Sequence, residues 1–360
     1  MKRSMAALGV CAVLLAVATA QASTLTQNLS WTVDRAGTST KYRVVAYGDS
    51  IYAGYYGSIT NVIKRAATTV DSEYLQSKWG TDILNVRRCK SGAIASDIYN
   101  NKIVSEKSYM QTTDTRVVTF EMCGNDGLQA RSSFAGQSGT CDYSGLNTAV
   151  ANCTNYLGKA MDFINANAYS GTKLKIVSNL YYPGYDADNH AASCTDSGTG
   201  QHPNLQNVFL PLLAQMNWTA CDLARQKGFA CADSFANFMA AEYDSNGDGL
   251  VDSDAISYVS GESESAYVTK ITSTYRSTLR DGNVHLTSPS TSYDYIQSDN
   301  THPTYNGSTI FIGLIGGSGS GSGAPQYSDS QIVGGKNPIW DQNGHDKMGW
   351  GLSVYNPATP

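Results

Sequence analysis

Residues able to serve as a nucleophile, a base and an anion cradle occur in four short blocks along this 360-residue chain. Gly48-Asp49-Ser50 follows the apolar run Tyr42–Tyr47, Gly92 and Gly124-Asn125-Asp126 follow later runs of the same kind, and Asp299-Asn300-Thr301-His302-Pro303 stands near the end. Acyl transfer needs a hydroxyl made nucleophilic by a neighbouring base, and donors that hold the negative oxygen of the tetrahedral intermediate. The candidates are Ser50 as nucleophile, His302 as base, Asp299 as the group that orients the base, and Gly92 and Asn125 as oxyanion donors. No single block carries that chemistry, since Gly-Asp-Ser and Gly-Asn-Asp-Gly are ordinary turn sequences. His302 stands out because the chain has only five histidines and Asp299 lies three residues before it, within one turn.

The elements that must position these residues are legible in the apolar pattern. Arg43–Tyr47, Leu84–Cys89, Arg116–Met122, Lys173–Leu180 and Phe229–Asp233 are expected strands, and Thr60–Trp79, Gly145–Ala168 and Leu205–Lys227 have helical spacing. Strands that alternate with helices imply a parallel sheet covered on both faces, built around one large core. A serine directly after a strand, between Gly48 and Gly54, then sits at the carboxyl edge of the sheet, where open α/β sheets bind ligands. The polar stretch Asp186–Gln201 follows a strand end and is expected to form a lid or rim loop. Tyr52, Tyr55 and Tyr56 after the nucleophile, with Tyr181, Tyr182 and Tyr185 after the fourth strand, are expected to line that edge. Such rings suit an acyl chain, a sugar or an aromatic ester equally well.

Taken in order, the blocks Gly48–Gly54 (Gly-Asp-Ser-Ile-Tyr-Ala-Gly), Ser91-Gly92-Ala93, Gly124-Asn125-Asp126 and Asp299-x-x-His302-Pro303 resemble those of the SGNH (GDSL-type) hydrolases, over residues 42–315. The resemblance implies a flavodoxin-like three-layer α/β/α sandwich with a central parallel sheet of about five strands. It also implies ester hydrolysis with Ser50, Asp299 and His302 as triad, and an oxyanion hole of the Ser50 and Gly92 N–H groups and the Asn125 side chain. No Gly-x-Ser-x-Gly nucleophile elbow accompanies Ser50, which argues against an ordinary α/β-hydrolase. A secreted, non-catalytic carbohydrate-binding or adhesion protein on a hydrolase fold is the alternative. A retired enzyme has no chemical reason to keep both the Ser/Asp/His set and the Gly/Asn set.

The chain begins Met1-Lys2-Arg3, continues through the apolar run Met5–Ala18 and reaches A-x-A sites at Ala18–Ala20 and Ala20–Ala22. This pattern is that of a secretory signal peptide over residues 1–22, too short to span a bilayer, which needs about 20 apolar residues. Its removal shifts the net charge from −5 to −7. With no basic stripe, no nucleic-acid partner is expected. No integral membrane segment is expected in the remainder, and the expected partner is a small or polymeric ester outside the cytoplasm. Seven cysteines remain after residue 22, so disulfides are expected with one thiol over. Cys221–Cys231 is the preferred pair, Cys141–Cys153 is a second expectation, and a bridged Cys123 would help fix Asn125. Residues 23–315 are assigned to the hydrolase domain, Gly316–Gly323 to a Gly/Ser linker, and 324–360 to a tail of unassigned role.

A separate motif runs from Asp244 to Asp254. Asp244, Asn246, Asp248, Leu250 (through its carbonyl) and Asp252 occupy the alternate ligand positions of an EF-hand-type loop, with Gly249 at the sixth position. Ala255 stands where the bidentate Glu belongs, and Asp254 is the candidate substitute. A structural Ca²⁺ of extracellular-module affinity, ~10⁻⁴–10⁻³ M, is expected, and catalysis needs no cofactor. The expected consequence is a melting temperature lowered by EDTA in the wild type but not in Asp248→Ala. Identical melting curves with and without EDTA on calcium-loaded protein would refute it.

Overall fold

The computed structural model describes residues 26–33, 39–56, 58–63, 66–182, 184, 188–239, 255–279, 299, 301–303 and 311–313. The leader, the calcium-type loop 244–254, Asn300, the linker and the tail lie outside the described residues. In chain order the elements are β1 (Thr26–Val33), β2 (Lys41–Gly48), α1 (Ser50–Ala53), β3 (Tyr55–Tyr56), β4 (Ser58–Ile63), α2 (Ala67–Trp79), β5 (Asp82–Lys90) and α3 (Ala95–Asp97). They continue with β6 (Thr115–Glu121), α4 (Gly124–Ala135), α5 (Ser144–Asn167), β7 (Leu174–Ser178), α6 (Leu205–Lys227), β8 (Ala230–Ala232), α7 (Ser234–Met239), α8 (Glu264–Thr269) and β9 (Phe311–Gly313).

The main sheet has the order β1-β5-β2-β6-β7-β8, with β5 through β8 all parallel and β1 added antiparallel at the edge. The five parallel strands are the five expected from the sequence. Parallel strands covered on both faces need apolar residues throughout, which is why β2 presents the unbroken buried run Val44-Val45-Ala46-Tyr47. Successive side chains leave opposite faces: Val45 and Tyr47 enter the larger core with α4, α5 and α6, and Val44 and Ala46 enter the smaller one with Leu75 and Trp79 of α2. The result is a three-layer α/β/α sandwich in the flavodoxin-like strand order, whose ligand crevice opens at the carboxyl ends of β2 and β6.

The expected helix Thr60–Trp79 begins only at Ala67, and its first residues belong to β4, in a three-stranded sheet β3-β4-β9. The run Ser58–Ile63 is β-branched and pairs antiparallel with Phe311–Gly313, a partner from the far end of the chain. Three disulfides join Cys123 to Cys153, Cys141 to Cys194 and Cys221 to Cys231, and Cys89 is free and buried. Cys141–Cys153 is therefore corrected: Cys153 on α5 meets the start of α4, and Cys141 meets the rim segment after residue 188. Among the described residues no helix is long and apolar enough to cross a membrane. Three bridges fit an oxidising compartment.

Candidate active site

The Ser50 turn is determined by what lies under it. A Cβ on Gly48 would sit 2.6 Å from Glu121 Oε1 and 2.8 Å from Tyr52 Cβ, so only glycine lets β2 end there. Asp49 then caps α1, its Oδ1 accepting the Ile51 N–H at 2.8 Å, and Gly54 closes the turn in the left-handed region at φ 76°. Ser50 is held at the carboxyl edge of the sheet, at the first position of that short helix.

His302 arrives from the far end of the chain, 252 residues away, and its Nε2 lies 2.8 Å from Ser50 Oγ. Its Nδ1 lies 2.7 Å from Asp299 Oδ2, while Asp299 Oδ1 accepts the backbone N–H groups of Thr301 and His302 at 3.0 Å each. One carboxylate thus shapes the loop and orients the ring. Burial pushes the Asp299 carboxyl up, but the His302 ring and these N–H donors outweigh it and hold the group below the usual carboxylate range. With Nδ1–H directed at Asp299, Nε2 is left as acceptor for the Ser50 proton. Two tyrosines fasten the loop: the Tyr55 ring stacks on His302 at 4.0 Å and 26°, and the Tyr181 hydroxyl donates to the Thr301 carbonyl.

Two more turns face Ser50, those of Gly92 and Asn125. Gly92 has φ 74°, a left-handed conformation that suits glycine. Asp126 Oδ2 accepts the Ala95 N–H at 2.8 Å, tying the Gly92 loop to α4, and burial raises its carboxyl to about 6. Cys123 precedes α4 at φ 86°, a strained position for a non-glycine residue, held by burial and by its bridge to Cys153. Asn125 Nδ2 donates to Asp49 Oδ2 at 2.7 Å and to the Ala93 carbonyl at 3.1 Å, so its amide faces the Ser50 turn. The backbone N–H groups of Ser50 and Gly92 donate to no acceptor among the described residues.

Beside Ser50 a cleft runs between α4, the segment after β7 and α6. Leu128, Leu180, Phe209, Leu213 and Met216 make its walls, and Arg131 stands among them. The segment expected as a lid or rim is a fastened rim. Cys194 is bridged to Cys141, the Thr195 N–H donates to the Gly139 carbonyl at 2.7 Å, and the buried Asp188 carboxylate binds Arg131 and the Tyr182 hydroxyl. The expected tyrosine lining is narrower than the sequence implies. Tyr181 and Tyr182 line the cleft as expected, though largely buried, whereas Tyr52 turns inward, its hydroxyl 2.8 Å from Thr119 Oγ1, and Tyr185 lies outside the described residues.

Three contributors do not stand out from the sequence by residue type and spacing: Asp49 as more than a turn former, Asp126 as a tie to the Gly92 loop, and Glu121 at the end of β6. The signal for Glu121 was a single acid closing the apolar run Val117–Phe120, immediately before a block of interest.

No protein-family model matches the chain, and no curated protein sequence matches it. Among solved structures it is similar to the lipase Lip_vut3 from a goat rumen metagenome, at 16% identity over 66% of this chain and 97% of that one, with a TM-score of 0.41. It is also similar to Axe2, an acetylxylan esterase from Geobacillus stearothermophilus, at 14% identity, 54% and 77% coverage and a TM-score of 0.33. A third is LAE5, described as an alpha/beta hydrolase enzyme from the metagenome of Lake Arreo, Spain, at 14% identity, 54% and 78% coverage and a TM-score of 0.32. These likenesses are distant, so the functional argument rests on the geometry of the site.

Proposed function

We propose that the protein is a secreted serine ester hydrolase of the SGNH type, working through an acyl-enzyme on Ser50. The observation that carries this reading is the hydrogen-bond chain Ser50 Oγ–His302 Nε2, His302 Nδ1–Asp299 Oδ2, closed between residues 252 positions apart. Ser50 Oγ attacks the ester carbonyl carbon as its proton passes to His302 Nε2, and the carbonyl oxygen becomes the oxyanion. The Ser50 and Gly92 N–H groups are free to receive that charge, and Asn125 Nδ2 joins them by yielding its longer bond to Ala93. His302 then returns the proton to the departing alkoxide. Water repeats the sequence on the acyl-enzyme, releasing the acid and restoring Ser50.

The apolar walls of the cleft support, as part of this reading, esters of acyl chains several carbons long over acetyl groups alone. Each methylene buried contributes about 0.8 kcal/mol, or roughly fourfold in kcat/KM, so four methylenes set an upper limit near ~200-fold. The test is kcat/KM across p-nitrophenyl esters from acetate to dodecanoate. We expect a rise of at least about tenfold from acetate to hexanoate, within that limit. A steady decline from acetate would sink the acyl-chain reading and leave the esterase standing. No turnover of any member would sink the esterase.

A further inference from the structure

Glu121 takes no part in the proton path above, yet it lies buried against the nucleophile's turn, 3% exposed. Its Oε1 accepts the Asp49 N–H at 2.7 Å, which sets its buried carboxyl beside the buried carboxyl of Asp49. Asp49 faces two functional parts at once: Oδ1 holds the Ile51 N–H behind Ser50, and Oδ2 holds the Asn125 amide. The three side chains therefore form a line from the end of β6, through the Ser50 turn, to the oxyanion donor.

We propose that Glu121 is a positioning residue for the ester chemistry, which through its bonds to the backbone N–H and the carboxyl of Asp49 locks the Ser50 turn and the Asn125 amide into one register. The role rests on the esterase reading. Two carboxylates in contact in a buried site do not both ionise, so the pair shares a proton. Burial raises both groups, and the Asp49 charge adds to the rise at Glu121. At Asp49 the Glu121 side chain, the Ile51 N–H and Asn125, with the nearness of His302, oppose the rise. In the arrangement proposed, Glu121 carries the shared proton and Asp49 the charge. Neutral Glu121 can then accept from the Asp49 N–H with one oxygen and donate to the Asp49 carboxylate with the other.

This arrangement has a direction in pH. Because the folded-state value of Glu121 is raised, its donated bond is intact at low pH and is lost as pH rises through that value. A second charge would then repel the Asp49 carboxylate and pull the Asn125 amide out of register. Of the neighbouring groups, burial pushes the Cys89 thiol up to about 12, raises the Tyr52 and Tyr181 hydroxyls well above the ordinary phenol, and raises Asp126, which also feels the Asp49 charge, to about 6. His302 reaches the pair through Asp49.

The experiment measures kcat and KM against pH for wild type, Glu121→Gln and Glu121→Leu on the best ester of the series, with melting temperatures alongside. Glutamine keeps one acceptor and one donor but cannot ionise. Its kcat should stay within about threefold of wild type, and the alkaline loss of kcat should disappear. Leucine removes both bonds, and kcat should fall roughly 10–100-fold, the scale of an ångström-sized misplacement, with KM nearly unchanged. A leucine variant with wild-type kcat, or with an effect on KM alone, overturns the role. If the leucine variant does not fold, an alkaline limb unmoved in Glu121→Gln overturns it instead. A wild type inert towards every ester sinks the esterase reading and this role together, whereas an active wild type with an indifferent Glu121→Leu sinks the role alone.

Discussion

Ser50→Ala is expected to lower kcat for ester hydrolysis by about 10³–10⁶ while leaving the melting temperature nearly unchanged. The size follows from what the hydroxyl does. Without Oγ no acyl-enzyme can form, and only the oxyanion donors and substrate binding remain to act on direct attack by water. The stability change is small because the side chain's hydrogen bond joins it to His302 on a partly exposed loop, and one such bond contributes about 0.5–1.5 kcal/mol. A fluorophosphonate probe gives a second readout that does not depend on turnover: wild type should gain one adduct at the Ser50 peptide, and the variant none. Retention of more than a tenth of the wild-type kcat, or labelling at another residue, would remove Ser50 from the role.

The parts of the site that the sequence showed are those carried by residue type and local spacing. Asp299 and His302 interact three residues apart, and the strands before Ser50 and Gly124 are apolar runs because helices cover both their faces. What was not legible depends on pairing across long sequence distance. β1 alternates polar and apolar residues at an edge, so it lacks the run that marked the inner strands. β4 was absorbed into a helix because its partner strand lies some 250 residues later. The Cys141–Cys194 bridge needs the rim to fold back on the loop before α5, which no cysteine spacing reveals. Glu121 belongs with these. An acid at a strand end is ordinary in a sequence, and only its approach to Gly48 and Asp49 shows that it underlies the Ser50 turn.

Asn125→Ala should lower kcat by about 10²–10³ with KM changed by less than about threefold, because its amide is asked to hold the oxyanion rather than the ground-state carbonyl. The structure sharpens this expectation, since the amide already has two acceptors, Asp49 Oδ2 at 2.7 Å and the Ala93 carbonyl at 3.1 Å. A purely structural Asn125 would keep both bonds throughout the reaction. Its loss would then cost about 0.5–1.5 kcal/mol of stability per bond and leave kcat in place. A donor that swings from Ala93 to the oxyanion is worth about 2.7–4 kcal/mol in the transition state, so the two roles differ by more than tenfold in rate. The bond to the Asp49 carboxylate is the shorter and charge-assisted one, and it anchors the amide while the Ala93 bond is the one released. Steady-state kinetics and a melting curve on the same preparation separate these outcomes. A lowered melting temperature with kcat within threefold of wild type would make Asn125 a strut, and would leave the Ser50 and Gly92 N–H groups to stabilise the oxyanion alone.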